Sequence, residues 1–427
     1  MAGATFSDVD SFGNLKELYA DDVTYQENVQ SSFFNAIRKA GKDEVEFDGK
    51  AWNIGVTFQI NESYGAKNDG ERLPEPDFQK GVFARYASKL MYSQIESTTY
   101  AATRGHKNGR PNGKYLDDLM KGTLLSFNSN LDSDAYANGR GYRGTVLTAV
   151  AAASSFTVEF STRLRSGMVL DWYDSTYATK KGSIKVALKG VDRLNRTVYI
   201  DSTFGTAAVP ATAAAGDVLV VYGALDPTEP ADGRHMAGYD RLTDNSVSLG
   251  GLSPSDYALW QATVINAGLA NPNQEILQQF SDQFYQHSGV YPNKMVFNPT
   301  WKRGYLAGFL GQRRFTSNVY DTGAASLSWS AVKMGSDETK KKPGDMQMLE
   351  DKNCDPKVVL MWNNDALCFA SDYSSEPHMA DEDGAEFRYR IGFDSMQGFF
   401  RFWGNTVVKQ RNALGKITNF AVASGVI

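Results

Sequence analysis

Asp321-Thr322-Gly323, which is followed by two alanines, has the local sequence of an aspartic protease. Aspartic protease chemistry requires two carboxylates that share one proton. A single chain would need a second such triplet, and the sequence contains none. A homodimer would supply the second carboxylate, but the surrounding chain is too large and too differently ordered for such an enzyme. We therefore interpret the triplet as a turn between strands.

Two further segments resemble ligand-binding loops but lack the residues that such loops require. Residues 109–114 (GRPNGK) resemble a phosphate-binding loop. However, only three residues instead of four separate the glycines, and Tyr115 replaces the serine or threonine that binds magnesium in such loops. The acidic run at 381–384 (DEDG) lacks the alternating ligands and final glutamate of a calcium loop. We interpret the acidic run as a solvated surface. The basic loop is interpreted as a surface loop, and its contact with nucleic acid or an acidic neighbour stays open.

Histidine and cysteine usage gives no sign of a metal site. The four histidines are far apart without HxxH spacing, and the two cysteines do not form a CxxC motif. A run of aromatic residues near the C-terminus is interpreted as core, with side chains alternating across a strand of the final sheet, rather than as a sugar-binding platform. Its members are Phe399, Phe400, Phe402 and Trp403. The sequence therefore predicts no catalytic residue, no metal site and no cofactor.

Composition limits the class of protein. The chain has 427 residues, 42% of them hydrophobic, which is enough for two or three packed units. Its net charge is -5, whereas a protein that reads nucleic-acid sequence is usually basic on its binding face. A container that faces nucleic acid without gripping it is compatible with this charge. The sequence shows no signal peptide and no apolar stretch long enough for a bilayer, so we expect cytoplasmic synthesis and no membrane contact.

Residues 12–40 predict an amphipathic helix, because apolar residues recur at steps of three and four. Leu15, Leu18, Phe33 and Phe34 belong to its apolar stripe. A terminal helix has to bury such a stripe, and we expect these four side chains to contact a neighbouring subunit.

Two β-patterned segments, 51–58 and 82–95, flank a polar stretch at 61–80 that carries two glycines and two prolines. This pattern predicts an extended hairpin, which is only marginally stable alone in water and needs a partner surface. We expect the hairpin tip to contact an adjacent subunit. The residues predicted to do so are Tyr64, Lys67, Asp69, Glu71 and Arg72.

The middle of the chain predicts one long helix followed by a β-rich part. Residues 113–138 carry apolar residues at helical spacing and end at Asn138-Gly139, a stop signal. Five short β-patterned segments follow between Phe156 and Gly223. They predict a small β-barrel or sandwich inserted into the main fold.

After a connector at 224–250, helical and strand patterns alternate and predict a compact α/β lobe. The elements expected there are helices at 253–266, 273–288 and 299–310 and a buried strand at 290–299. The remaining segments are mainly strands.

The order of these elements is similar to that of the HK97-type capsid fold of tailed-phage major capsid proteins. Members of that family have an N-terminal arm, an extended E-loop, a P-domain with a long spine helix, and an axial A-domain. Residues 130–141 (NLDSDAYANGRG) resemble the end of the family's spine helix, and residues 163–223 resemble the β-rich insertion of some members. As an order of elements, the resemblance covers nearly the whole chain.

The resemblance implies an α+β fold of the HK97-like type with an inserted small β-barrel or sandwich domain. Its expected parts are the N-terminal arm at 1–44, the E-loop hairpin with flanking strands at 45–97, the P-domain with the spine helix at 98–155, the β-rich insertion at 156–225, the A-domain at 226–354 and returning C-terminal strands at 355–427.

The resemblance further implies the major capsid protein of a tailed double-stranded DNA bacteriophage. Pentamers and hexamers of such a protein build an icosahedral head around the genome. The expected partners are many copies of the same chain, portal and scaffolding proteins, in some phages a decoration protein, and packaged DNA contacted without sequence specificity. The expected location is the virion, assembled in the cytoplasm of the host bacterium.

Two alternatives stay open at this point. The nearer one is an encapsulin-type nanocompartment shell, which shares the fold but encloses enzymes. The more distant one is a carboxylate-based hydrolase that uses the aromatic-rich C-terminal sheet.

Overall fold

The structure is a computed structural model, and it describes residues 32–40, 44–98, 115–206, 208–225, 233–308, 331–333, 345–371, 377–379 and 387–421. These residues form two compact units. Unit 1 contains Ser88–Ser133 and Ser371–Gly404, and unit 2 contains Ser32–Ala87, Asp134–Ala370 and Asn405–Ile427, in each case within the described ranges.

Helices are few and strands are many in the described residues. The helices are α1 (Ser32–Ala36), α2 (Tyr115–Tyr136), α3 (Tyr239–Leu242), α4 (Gln274–Ser288) and α5 (Pro299–Gly308), with a 3-10 turn at Arg411–Ala413. The strands are β1 (Arg38–Lys39), β2 (Glu46–Phe47), β3 (Ala51–Gln59), β4 (Lys80–Ala87), β5 (Lys89–Thr98), β6 (Tyr142–Thr148), β7 (Ser155–Val158), β8 (Val169–Tyr173), β9 (Lys180–Asp192), β10 (Thr197–Ile200), β11 (Val218–Val221), β12 (Thr263–Asn266), β13 (Lys294–Phe297), β14 (Ala331–Lys333), β15 (Asp345–Glu350), β16 (Val359–Trp362), β17 (Leu367–Ser371), β18 (His378–Met379), β19 (Arg388–Tyr389), β20 (Ser395–Val408) and β21 (Leu414–Thr418).

Helix α2 confirms the long helix predicted from the sequence. Phe127, Leu131 and Ala135 lie at steps of four residues and are all buried, as expected for one stripe of an amphipathic helix. Its length of 22 residues corresponds to about 33 Å at 1.5 Å per residue. The helix ends just before Gly139, which has a positive φ of 83°, a conformation that glycine adopts without steric cost.

In unit 1, β5 and β20 pair antiparallel from Lys89↔Gly404 to Thr98↔Ser395. The short strands β18 and β19 also pair antiparallel with β20. Side chains alternate across the sheet, and on one face Met91, Ile95 and Phe402 are buried. This sheet therefore has one apolar buried face.

The β-rich insertion in unit 2 is a closed barrel with the strand order β10-β7-β6-β11-β8-β9. Its interior is filled by buried apolar side chains from every strand, including Trp172 and Ile184 at 0% exposure. The predicted small β-barrel is therefore present. It contains one strand more than the five predicted, because β6, which precedes residue 156, also belongs to it.

The α/β lobe of unit 2 is a sheet with the order β12-β21-β16-β13-β15-β14. Helices α4 and α5 and strand β13 confirm three of the four elements predicted there. The predicted helix at 253–266 is wrong. Turns follow Ser253, and Val264 and Ile265 lie in β12, which pairs parallel with β21. Pairing with a neighbouring strand stabilises this segment more than its weak helical spacing of apolar residues would stabilise a helix.

Strands β3 and β4 form an antiparallel hairpin in unit 2, extended by β2. The segment predicted to return as one strand, 82–95, is divided at Ser88. Residues before Ser88 pair with β3, whereas β5 pairs with β20 in unit 1. The hairpin is therefore shorter than predicted.

Candidate assembly surfaces

The base of the hairpin is packed against its own chain. Phe58 stacks on Tyr257 with 4.3 Å between ring centroids, and the backbone N–H of Arg85 donates to the carbonyl of Gly250 at 2.9 Å. Trp52 and Ala84 are buried at 3% and 0% exposure. One face of the hairpin base is therefore buried within its own chain.

Beyond Gln59 the hairpin has no regular structure until Lys80, and its large apolar side chains are exposed. The exposed fractions are 65% for Ile60, 97% for Tyr64, 78% for Leu73 and 73% for Phe78. Apolar surface of this kind gains free energy when another surface removes it from water. The distal part of the hairpin, 60–79, is called the hairpin end below.

The two sides of the hairpin end lie close together. Gln59 donates through Nε2 to Asp77 Oδ2 at 2.7 Å. A Cβ atom built on Gly65 would lie 3.1 Å from Pro74. Hydrogen bonds from the backbone N–H of Phe78 and from Gln59 hold the pKa of Asp77 below its usual value. Polar contacts within the chain therefore hold the two sides of the hairpin together where the hairpin end begins.

The charged residues predicted at the tip are all exposed. Glu71 accepts hydrogen bonds from the backbone and side-chain amides of Asn68, which lower the pKa of the Glu71 carboxyl. Arg72 lies 3.5 Å from Glu75, and both side chains are mostly solvated. Neither Lys67 nor Asp69 has an ion-pair partner among the described residues, so these charges are free for contacts outside the subunit.

Tyr64 and four charged residues of the hairpin end were predicted contact residues, whereas Ile60, Leu73 and Phe78 were not predicted. A signal for these three was present, because isolated large apolar residues in a Pro- and Gly-containing polar stretch have no core to enter. The structure places the three on the same exposed segment as Tyr64.

The N-terminal arm is described only from Ser32, so Leu15 and Leu18 lie outside the described residues. Phe33 was predicted to contact a neighbouring subunit, but it is buried within its own chain. It is 0% exposed, and its ring stacks on Tyr136 at 4.4 Å and meets Trp362 edge-on at 5.5 Å. Because Phe33 belongs to the core of its own unit, no surface of its ring is left for a neighbouring subunit.

Phe34 lies beside Phe33 but is only half-buried. Its ring packs edge-to-face on Phe369 with 5.2 Å between centroids. The partly open ring keeps Phe34 as a candidate for contact with another subunit.

The aromatic residues of β20 divide between two faces of the unit 1 sheet. All four were predicted to be core residues. Phe400 and Phe402 are buried as predicted, but Phe399 and Trp403 are only half-buried, on the opposite face. Trp403 donates from Nε1 to the hydroxyl of Tyr92 at 3.1 Å. The alternation explains both positions, since successive side chains of a strand point to opposite faces.

The motifs weighed for chemistry fall mostly outside the described residues. These are the Asp-Thr-Gly triplet at 321–323, the basic loop at 109–114 and the acidic run at 381–384. Within the described ranges, no group of three or more His, Cys, Asp or Glu side chains is arranged to hold a metal ion. No helix in the same ranges combines the length and apolar character needed to span a membrane.

Comparison with known proteins gives a likeness in fold. No protein-family model and no curated protein matches the chain. A chain in the capsid asymmetric unit of cyanophage A-1(L) is similar, with a TM-score of 0.56 and 10% identity over 94% of this chain and 96% of that chain. A chain of Gordonia phage Cozz gives 0.47 with 10% identity over 96% and 92% of the two chains. The holo-SrpI encapsulin complex from Synechococcus elongatus PCC 7942 gives 0.44 with 6% identity over 95% of each chain.

The cyanophage comparison confirms the predicted α+β capsid fold, because it covers nearly the whole of both chains. At 10% identity the likeness concerns the fold, and function has to be argued from the surfaces of this chain.

Proposed function

We propose that the chain is the major capsid protein of a tailed double-stranded DNA bacteriophage. Copies of it assemble into the pentamers and hexamers of an icosahedral head that encloses the genome. The observation that carries this proposal is the hairpin end, whose large apolar side chains are exposed in a chain with the fold of a phage capsid chain.

Apolar burial supplies the driving force for assembly. Burying one exposed side chain such as Leu73 or Phe78 contributes about 1.5–3 kcal/mol relative to leaving it in water. Ion pairs between solvated side chains contribute much less, because water and salt screen them. We therefore assign the affinity between subunits mainly to the apolar residues of the hairpin end. Lys67, Asp69, Glu71 and Arg72 set the orientation of the contact.

The role is structural rather than catalytic. The net charge of -5 suits a wall that faces packaged DNA without gripping it, because tight phosphate binding needs clustered Lys and Arg. The location is the virion, with assembly in the cytoplasm of the host. Portal, scaffolding and decoration proteins are the further partners of such a shell.

Deletion of residues 64–76 tests the proposal. The side chains of Gln59 and Asp77 are hydrogen-bonded to each other, so residues 60–63 are enough to connect the two sides of the hairpin after the deletion. The base of the hairpin keeps its contact with Tyr257, so we expect a folded subunit with the thermal unfolding profile of the full chain. We also expect no closed shells in negative-stain microscopy. Normal particles from the deletion variant would overturn the assignment.

The contents of purified wild-type particles separate a virus head from a nanocompartment. Particles produced in infected cells should contain nuclease-protected DNA of one length. A cargo enzyme in place of DNA would identify an encapsulin-type shell instead.

A further inference from the structure

Unit 2 contains a cavity of about 210 Å³ whose lining residues do not belong to the hairpin end. Its lining combines the first strand of the barrel, through Tyr142, with the sheet of the α/β lobe, through Leu360 and Lys416. The share of one water molecule in the liquid is roughly 30 Å³, so the cavity has room for several waters or one small molecule.

Arg163 is the unusual residue of this cavity, because it is a cation at 6% exposure that forms no ion pair within the part of the chain that the structure describes. The carboxylate of Asp355, which also lines the cavity, acts on it only through space. Its Nε donates to the carbonyl of Asn353 at 2.9 Å, and its guanidinium lies 5.2 Å from the ring centroid of Tyr136 and 5.4 Å from that of Phe160. Among the described residues, no other acceptor meets the guanidinium. A buried cation normally has its remaining N–H groups satisfied.

The other cation of the cavity is already paired. Lys416 Nζ lies 2.6 Å from Asp240 Oδ1. The nearby carboxylate of Asp351 is also occupied, because it accepts from the hydroxyl of Tyr136 at 2.8 Å and from the backbone N–H of Asn353 at 2.8 Å. The positive charge of Arg163 is therefore not balanced by these groups.

We propose that the cavity binds a small oxyanion, such as inorganic phosphate, sulfate or a carboxylate, through the free edge of the Arg163 guanidinium. The guanidinium is planar and presents parallel N–H donors that match two oxygens of one anion. Its position is fixed before binding by Asn353 and by the two aromatic rings, so little side-chain entropy is lost. The bound anion would connect the root of the barrel with the α/β lobe.

Asp355 also lines the cavity and controls the strength of binding. Burial raises the pKa of its carboxyl, although the backbone N–H of Lys357 and the nearby Arg163 act in the opposite direction. Glu159, which is paired with Lys357, adds a negative charge in the vicinity. Ionised Asp355 repels an incoming anion, whereas protonated Asp355 does not. Affinity for the anion therefore rises as the pH falls through the pKa of Asp355.

The test uses the unassembled full-length chain, titrated with sodium sulfate, sodium phosphate and sodium acetate against sodium chloride of equal ionic strength. Calorimetry and the melting temperature are recorded. We expect saturable binding of at least one oxyanion and a rise in melting temperature by mass action, with no such effect from chloride. Binding of phosphate or sulfate without binding of acetate would indicate a site for a tetrahedral anion. Binding of acetate alone would indicate a site for a carboxylate. Equal effects of chloride and all three oxyanions would overturn the proposal.

Three variants locate the site. Arg163→Gln should weaken oxyanion binding at least about tenfold, since both charge-assisted hydrogen bonds are lost. Val358→Phe leaves Arg163 in place but fills the cavity, and it should abolish binding. This variant keeps the test valid if Arg163→Gln does not fold. Arg72→Gln, at an exposed arginine of the hairpin end, is the matched control and should bind like the wild type. Unchanged binding in the Val358 variant would contradict the proposal.

Asp355→Asn should change the affinity for sulfate and its pH dependence, which would not happen if Arg163 had only a structural role. The amide oxygen can still accept from Lys357 N, which donates to Asp355 Oδ1 at 2.8 Å in the wild type. Sulfate stays fully ionised between pH 5 and 8, so the affinity for sulfate reports the protein alone. We expect Asp355→Asn to bind sulfate more tightly and with a flatter pH profile than the wild type. Weaker binding by this variant would refute the site. These results do not depend on whether the chain forms shells.

Discussion

At the scale of single residues, a buried polar cluster at the end of helix α2 links stability to pH. Asp134 is 2% exposed and pairs with Arg143 at 2.7 Å and with His235 Nδ1 at 2.7 Å. A carboxylate in the last turn of a helix is disfavoured by the helix dipole, but only by about 0.3–1 kcal/mol. The buried pair with Arg143 outweighs that effect.

The Asp134 cluster makes stability depend on acid pH. Burial opposes ionisation of Asp134, but the charges of Arg143 and His235 prevail and lower its pKa from 3.8 to about 2. A lowered pKa means that the stabilisation is complete above about pH 4 and is lost as the pH falls towards 2. Its size is about 2 kcal/mol at 1.36 kcal/mol per unit of pKa. The difference in urea unfolding between the wild type and Asp134→Asn, followed in unassembled subunits from pH 5 to pH 2, separates this loss from that of the other carboxylates.

Substitution of Asp134 should cost more than the protonation does. In Asp134→Asn the buried cation of Arg143 loses this carboxylate, and breaking a buried pair in this way costs about 3–5 kcal/mol. The control is Asp69→Asn at the exposed hairpin end, which should change the free energy of unfolding by less than about 0.5 kcal/mol. If both variants unfold at the same urea concentration, the cluster does not stabilise the unit.

At the scale of elements, the sequence correctly predicted the helices and strands whose formation depends mainly on residues close together in the chain. The long helix, the barrel strands and helix α4 have uninterrupted apolar periodicity and clear stop signals, and all three predictions are confirmed. The predicted helix at 253–266 is wrong because β12 is fixed by parallel pairing with β21, more than a hundred residues later in the chain. Pairing at such sequence distance leaves no local signal.

In the candidate site, too, the features that depend on nearby sequence were predictable and those that depend on distant residues were not. The exposure of the hairpin end follows from its polar, Pro-containing sequence, and it was predictable. The burial of Phe33 was not, because the aromatic partners that enclose its ring, Tyr136 and Trp362, belong to distant elements. Helical periodicity identifies a stripe to be buried but does not identify the surface that buries it.

Packing between elements predicts a sharp difference between two glycines. Gly238 precedes helix α3, and a Cβ atom there would lie 2.2 Å from the backbone oxygens of both Ala137 and Asp134. Backbone atoms cannot move aside as a flexible side chain can. We therefore expect Gly238→Ala to destabilise unit 2 by at least about 2 kcal/mol.

Gly55 in β3 is the matched control for Gly238. A Cβ atom there would meet only the ring of Phe83 at 3.8 Å, which is ordinary van der Waals contact. Gly55→Ala should therefore leave the melting temperature unchanged or raise it slightly. Equal destabilisation by the two variants would show that close approach of Gly238 to the helix end is not what stabilises this region.

At the scale of the whole molecule, two variants of the hairpin end separate the forces that hold a shell together. The apolar variant replaces Tyr64, Leu73 and Phe78 with serine. The charge variant replaces Lys67, Asp69, Glu71 and Arg72 with serine, which removes two positive and two negative charges and keeps the net charge at -5. Both sets are solvent-exposed in the single subunit, so both variants should fold with the stability of the wild type.

The two variants should differ in assembly. Loss of three apolar side chains removes about 1.5–3 kcal/mol each from the contact, which lowers the association constant by roughly a thousandfold or more. The apolar variant should therefore remain unassembled at concentrations that give wild-type shells, at every salt concentration. The charge variant should form shells, with an assembly threshold that changes less with salt than that of the wild type, because screened charge contacts are absent. Sedimentation velocity across a salt series measures both thresholds. If the charge variant fails to assemble while the apolar variant forms shells, electrostatic contacts rather than apolar burial join the subunits.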